Sequence, residues 1–302
     1  MKSKKVNILL STYNGKKYIH EQIKSLYSQK NCEIQLLVRD DGSSDTTLSE
    51  LQEIQLKNSE IITGKNIGVV KSFFYLLENS YNDSEYYAFC DQDDFWHEKK
   101  LSSAIFILEQ QDELPAMYCS RLNIVDENLN FLHMSKIPKN LNFQNAIINN
   151  IVTGCTIVLN KKARDLLISK LPEKALMHDW WIYLVISSHG KIIYDETPHI
   201  DYRQHSNNVV GMQSSLKSFL LTLIKFFKNY NSNKLRVHTQ IVEFKRLYAD
   251  TLKKDDLNDL NDFLKSKSSF FKRLSFVIKG KIIRNSLSET ITFSIQYLLG
   301  KY

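Results

Sequence analysis

Asp91-Gln92-Asp93-Asp94 places three carboxylates within four positions, directly after the apolar run of residues 86–90. Like charges at that density are costly unless a cation or hydrogen-bond donors offset them. A hard divalent cation with oxygen ligands, Mg²⁺ or Mn²⁺, suits such a run. It takes one or two carboxylates and leaves positions for phosphate oxygens and water. A cation held this way neutralises a diphosphate leaving group as its bond to carbon breaks. Asp94 has a second use, as the cap of a helix beginning at Phe95.

Two more polar clusters stand in comparable places. Residues 11–14 follow the apolar run 6–10, and residues 40–45 follow the run 34–38. Both runs are short and apolar, as buried strands are. Helical spacing of apolar residues over 17–29, 46–56 and 69–79 supplies the connections, with Ser44 or Asp45 as a cap and residues 66–68 as a turn. Strand-helix repetition of this kind implies parallel strands with crossover helices. Ligands then bind beyond the carboxyl ends of the strands. The three clusters therefore converge on one sheet edge, although about eighty positions separate the first from the last. The middle of the chain mixes strands at 156–159 and 191–194 with helices at 163–170 and 179–187, and from Ser215 onward the periodicity is mostly helical.

Ser11-Thr12-Tyr13-Asn14-Gly15, Asp40-Asp41-Gly42-Ser43-Ser44-Asp45, Asn66-Ile67-Gly68 and Asp91-Gln92-Asp93-Asp94 occur in that order and spacing. Together they resemble the family 2 glycosyltransferases of the GT-A fold. The resemblance is clear over residues 6–101 and weaker to Gly211. It implies an α/β fold with a mostly parallel, Rossmann-like central sheet flanked by helices. It also implies roles by position. Ser11 and Tyr13 would line the nucleobase pocket, Asp41 would accept from a base imide N–H, and Asn66 would belong to a loop beside the nucleotide. Asp91 would face ribose and metal, and Asp93 would be the direct metal ligand. The residues themselves leave alternatives: core packing for Tyr13, and turn formation for Asp40, Asn66 and Gly68.

An inverting transferase needs a general base for the acceptor hydroxyl. In the resembling family an acidic residue at the start of a helix after the central strands has this role. Asp179 in Met177-His178-Asp179-Trp180-Trp181 matches, and His178 stands where many relatives carry Glu. Asp179 would also serve as a helix cap. Trp180 and Trp181 could form an acceptor-sugar platform, with core packing the alternative for one of them. Residues 202–211 form a polar loop rich in Asn and ending in Gly. Arg203 there can pair with diphosphate oxygens, His205 can complete the metal shell, and the loop can close over the donor. These two segments look most like rhamnosyltransferases of bacterial surface-polysaccharide assembly.

Hydrophobic residues make up 43% of the 302 and charged residues 24%, so the chain is an ordinary globular protein able to bury a sizeable core. The four cysteines are widely spaced and form no CxxC pair, which excludes a zinc knuckle and suits reduced thiols in the cytoplasm. No apolar stretch reaches 18 residues, so no membrane span or secretion signal is expected. Charge is uneven. Residues 212–302 carry 17 Lys/Arg against 7 Asp/Glu within a net of +7 for the whole chain. Residues 217–228 and 272–284 read as basic amphipathic helices, which favour anionic membrane surfaces. A helical subdomain or a homodimer contact is the alternative. Nucleic-acid binding is not expected, given the acidic front and the lack of a motif.

Two regions follow: a catalytic domain over 1–211 and a basic helical extension over 212–302. The expected activity is inverting transfer of a hexose or deoxyhexose, such as L-rhamnose, from a UDP- or dTDP-sugar to a glycan on a lipid carrier at the inner membrane face. Glucosyl-, galactosyl- or N-acetylhexosaminyl transfer is the alternative within the class. Nucleotidyl transfer and non-catalytic glycan binding are the alternatives outside it.

Overall fold

The computed structural model describes residues 3–54, 56–205, 237–280, 284 and 287–300. The chain begins with β1 (Lys4–Thr12), α1 (Ile19–Tyr27), β2 (Cys32–Asp40), α2 (Thr47–Glu53), β3 (Ser59–Thr63), α3 (Val69–Glu78) and β4 (Tyr86–Cys90). β5 (Phe95–Trp96) and α4 (Lys100–Leu108) follow the acidic run. Then come β6 (Ala116–Ser120), β7 (Asn123–Val125), β8 (Phe131–Met134), α5 (Phe143–Ile148), β9 (Val158–Asn160), α6 (Lys161–Ser169), α7 (His178–His189), β10 (Lys191–Asp195) and β11 (Ile200–Arg203). The described tail contains α8 (Val237–Tyr248), α9 (Lys254–Ser266), α10 (Phe270–Ile278) and α11 (Leu287–Leu298).

Seven strands form the central sheet in the order β10-β6-β9-β4-β1-β2-β3. All pairings are parallel except those of β9, which runs against β4 and β6. Continuous apolar strands are what a sheet covered on both faces requires. Side chains alternate between the two faces. Leu9, Leu37, Tyr87 and Phe89 enter one core with α3, α5 and α7. Ile8, Leu10, Leu36, Val38 and Ala88 enter the other with α1 and α4. A second sheet, β5-β11-β7-β8, was not expected from sequence. β11 pairs with β5 there and so carries residues 200–203 back to the acidic run.

The tail is part of this architecture. Ile241, Phe244, Tyr248, Phe263, Phe276, Phe293 and Tyr297 share the first core with α5 and α7. All four cysteines are free thiols. Among the described residues, no helix is long and apolar enough to cross a membrane. The segments 206–211 and 217–228, expected to be a closing loop and an amphipathic helix, lie outside the described residues.

Candidate active site

A cleft of about 950 Å³ runs over the carboxyl edge of the central sheet. Ser11, Tyr13, Asp41, Asn66, Asp91, Asp93 and Asp179 all line it. The three polar clusters thus meet where strand polarity requires. β9 runs antiparallel, so the turn before it, residues 154–156, also reaches this edge.

At the β2 end, Asp41 is buried and accepts from the Ile67 and Gly68 backbone N–H groups, both at 2.8 Å, and from Arg39 Nη1 at 2.5 Å. Arg39 in turn donates to Ser72 Oγ and the Lys65 carbonyl. A carboxylate offers about four acceptor directions. Among the described residues Oδ2 takes only the Gly68 N–H, so a donor from a ligand can still be accommodated. Gly42 makes the loop approach possible. Its φ is 80°, and a Cβ there would stand 3.0 Å from the Asn66 nitrogen. Asp40 forms a turn instead, accepting from the Ser43 N–H at 2.9 Å and from its hydroxyl.

Gln92 ties the first cluster to the acidic run. Its Oε1 accepts from Thr12 Oγ1 at 2.7 Å and the Tyr13 N–H at 2.8 Å, and its Nε2 donates to the Tyr13 carbonyl. Gly15 is required for this contact, because a Cβ there would lie 2.2 Å from Gln92 Oε1. The Tyr13 side chain is nearly half exposed at the cleft, so it is not core. Ser11 Oγ is 2.6 Å from Ser72 Oγ.

In the acidic run, Asp93 Oδ2 lies 2.9 Å from His205 Nε2, whose ring stacks on Tyr18 with centroids 5.2 Å apart. Burial, then the charges of Asp93 and Asp179, push the Asp91 carboxyl up to about 7. Asp91, Asp93 and His205 supply the oxygen and nitrogen donor types that Mg²⁺ or Mn²⁺ takes, and of them Asp93 and His205 stand within direct reach of each other. Among the described residues, the group whose ligand atoms all lie together is a different one: those of Asp91, Asp94 and Cys155 are within 4.8 Å of one another. That group suits a hard cation poorly. Burial and the carboxylates keep the Cys155 thiol well above its usual range, and it donates to Asp94. Neither residue lines the cleft.

Asp179 opens α7. It accepts from the Trp180 N–H at 2.6 Å and from Asn150 Nδ2 at 3.0 Å. Burial raises its carboxyl to about 6, and those donors together with the Gly154 N–H hold it from going higher. A carboxylate tuned toward neutrality is what a general base needs. Beside it, His178 is buried against Phe73 at 4.0 Å, and desolvation lowers its pKa to about 3, so the ring is neutral.

Residues 7–167 match the family described as Glycosyl transferase family 2. The dTDP-rhamnosyl transferase RfbG of Shigella flexneri is 31% identical over 229 residues, spanning 69% of this chain and 76% of that protein. The chain belongs to glycosyl transferase family 2. The S. aureus TarS 1-349 structure in complex with UDP-GlcNAc superposes with a TM-score of 0.56 at 14% identity, over 99% of this chain and 90% of that one. The mannosyltransferase PcManGT from Pyrobaculum calidifontis, solved with GDP-Man and Mn²⁺, gives 0.50 at 14%, over 98% and 85%. Both are likenesses of fold, and with the large flanked sheet they establish the GT-A architecture.

Three expectations for this glycosyltransferase need correction. Trp181 is fully buried against Phe244 and Tyr248, and Trp180 donates its indole N–H to the Ala146 carbonyl at 2.7 Å. Neither lines the cleft, because only the face of the first turn that carries His178 and Asp179 borders it, and the two residues after them turn away. Arg203 does not face a diphosphate. It is buried, pairs with Glu21, and donates to the Asp93 carbonyl at 2.9 Å and the Glu127 carbonyl at 2.5 Å. The β5–β11 pairing places it behind the acidic run as a brace. Asp94 caps no helix. A strand follows it, and its Oδ1 accepts the Arg203 N–H at 3.3 Å.

Sequence reasoning missed Gln92, Asn150, Gly154 and the Tyr18 stack. Gln92 was hidden among carboxylates. Tyr18 fitted the apolar spacing of α1, and only the return of β11 brings His205 to it.

Proposed function

We propose that the chain is an inverting, divalent-metal-dependent transferase. It moves a hexose or deoxyhexose, with L-rhamnose favoured, from a dTDP- or UDP-sugar to a hydroxyl of a lipid-linked glycan in surface-polysaccharide synthesis. What supports the reading most is the seating of Asp41, Asp93 and Asp179 along one cleft. Two strand steps, β2 to β1 to β4, separate Asp41 from the acidic run, about 10 Å at normal strand spacing. That span suits a nucleoside with its base at Asp41 and its diphosphate at Asp93.

In this reading Asp41 uses its remaining acceptor direction for the imide N–H of uracil or thymine. Tyr13 and Ser11 border the base, with Asn66 in the adjoining loop. Asp93 with Asp91 and His205 would hold Mg²⁺ or Mn²⁺, and the bound cation would neutralise the departing diphosphate. Arg203 keeps Asp93 in place by holding its carbonyl. Asp179 accepts the proton of the acceptor hydroxyl as its oxygen attacks the anomeric carbon, and a single displacement inverts that centre. The relative's printed dTDP-rhamnosyl activity favours a thymidine donor. N-acetylhexosaminyl transfer is the second reading, favoured by the UDP-GlcNAc complex of the fold neighbour.

A donor panel with Mn²⁺ and a lipid-diphosphate glycan tests this. Release of nucleoside diphosphate with one donor, abolished by Asp93→Ala, is expected. Pyrophosphate release would mean nucleotidyl transfer. Failure to bind any diphosphate nucleotide with Mn²⁺ in calorimetry would sink the reading.

A further inference from the structure

Exposed apolar side chains concentrate on the last two described helices. On α11, Leu287, Ile291 and Ile295 are 76%, 51% and 51% exposed and recur every four residues, while Phe293 and Tyr297 on another face fill the core. On α10, Phe271 and Ile278 are 78% and 75% exposed, one α-helical repeat of seven apart. The two helices are neighbours, packed through Phe276 and Tyr297 at a ring distance of 5.5 Å. Isolated surface leucines need no explanation, but aligned stripes on adjacent helices do.

The first turn of α11 reaches the cleft. Glu289 there lines it and pairs with Lys136 at 3.3 Å. Lys136 follows β8, whose Phe131 and Leu132 are also more than half exposed. Exposed apolar side chains on α11 and β8 therefore follow closely in sequence on both members of one ion pair at the cleft.

We infer that the α10–α11 face, with the β8 edge, docks on an anionic lipid bilayer and so presents the cleft to acceptors held in that surface. Charge selects this occupant. Lys272 and Lys279 are exposed beside the α10 stripe, and Lys136 lies at the rim. Residues 212–302 carry 17 Lys/Arg against 7 Asp/Glu. Apolar side chains flanked by lysines are the pattern of helices that lie in the headgroup region of anionic membranes. A second copy of the chain would bring the same positive field against itself. The inference rests on the transferase reading for its purpose, but not for its test.

The full chain is co-sedimented with phosphatidylcholine vesicles, with and without phosphatidylglycerol. Binding only to the anionic vesicles, weakened by salt, is expected. Ile278→Glu with Ile291→Glu should lower the vesicle-bound fraction at least about ten-fold, since each side chain forgoes burial. Lys272→Glu with Lys279→Glu should weaken binding to anionic vesicles without changing the fold, as read by circular dichroism. Equal binding of parent and both variants, or no preference for anionic lipid, overturns the inference. So does dimerisation by light scattering that Ile278→Glu and Ile291→Glu abolish, which would make the face an interface between copies. Donor turnover without vesicles keeps the two readings apart. A chain that turns over donor but ignores vesicles loses only the docking inference, and one that binds vesicles but turns over no donor loses only the transferase reading.

Discussion

Replacing Asp179 by Asn should remove activity while making the protein more stable, and the two effects together identify the residue as a buried base. Asn cannot take the acceptor proton, so kcat should fall about 10²- to 10⁴-fold. The stability effect follows from the raised carboxyl. Moving it from 3.8 to about 6 by burial corresponds to a penalty of about 3 kcal/mol on the ionised folded state. The sign is set by which state holds the proton. Below about pH 3.8 both states are protonated and there is no penalty. As pH rises toward 6 the unfolded chain releases its proton while the folded chain keeps it, and folded stability falls. Above about pH 6 the penalty is complete. An amide carries no charge, so the variant escapes it at every pH. Its oxygen still accepts from the Trp180 N–H, and Asn150 is only partly buried and can turn to water. The variant should therefore exceed the parent by about 1–2 kcal/mol near pH 5 and by about 3 kcal/mol near pH 8. Urea denaturation at the two pH values, without donor or metal, measures the gap. A constant gap, a variant weaker than the parent at pH 8, or retained kcat would refute the argument.

His205→Ala should weaken Mn²⁺ binding by about ten-fold or more in calorimetry, because Asp93 loses its imidazole neighbour at 2.9 Å. Unchanged affinity would remove His205 from the metal site. Gly15→Ala should cost about 1–3 kcal/mol of stability by driving a Cβ into Gln92. Adding Gln92→Ala should recover part of that in a double-mutant cycle, whereas strict additivity would place the strain elsewhere. Arg203→Met should destabilise by about 3 kcal/mol, since it leaves buried carbonyls unmet and breaks a pair whose Glu21 is only half exposed. Thermal denaturation within 0.5 kcal/mol of the parent, about the scatter of a surface change, would contradict the brace.

Much of the site was legible before any coordinates. Alternating strands and helices announced parallel strands, and parallel strands gather their carboxyl-end loops on one edge, so residues about eighty positions apart were expected together. The resemblance to the family, and not the local pattern, singled out Asp93, Asp41 and Asp179, and the fold seats all three on one cleft. The misreadings share one cause. Trp180 and Trp181 follow Asp179 in sequence, but a helix turns successive residues about 100° apart, so only one face of its first turn can border the cleft. Arg203 looked like a phosphate ligand because its charge was visible and its partner was not. Glu21 lies 182 positions away on α1, and only the β5–β11 pairing brings the two together.

The first acidic run thus divides in a way that sequence alone could not decide. Three carboxylates within four positions signalled a cation and a diphosphate, which is a matter of charge and spacing. Which of them faces the ligand is a matter of where the backbone goes next. Asp91 and Asp93 reach the cleft, whereas Asp94 turns inward to the Arg203 N–H and the Cys155 thiol. The tail follows the same rule. Its positive charge and apolar spacing were plain, but burial of Phe293 and Tyr297 and exposure of Leu287, Ile291 and Ile295 depend on which face α11 turns to the core. Periodicity marks a helix as two-sided, and only the packing of distant elements selects the side that is covered.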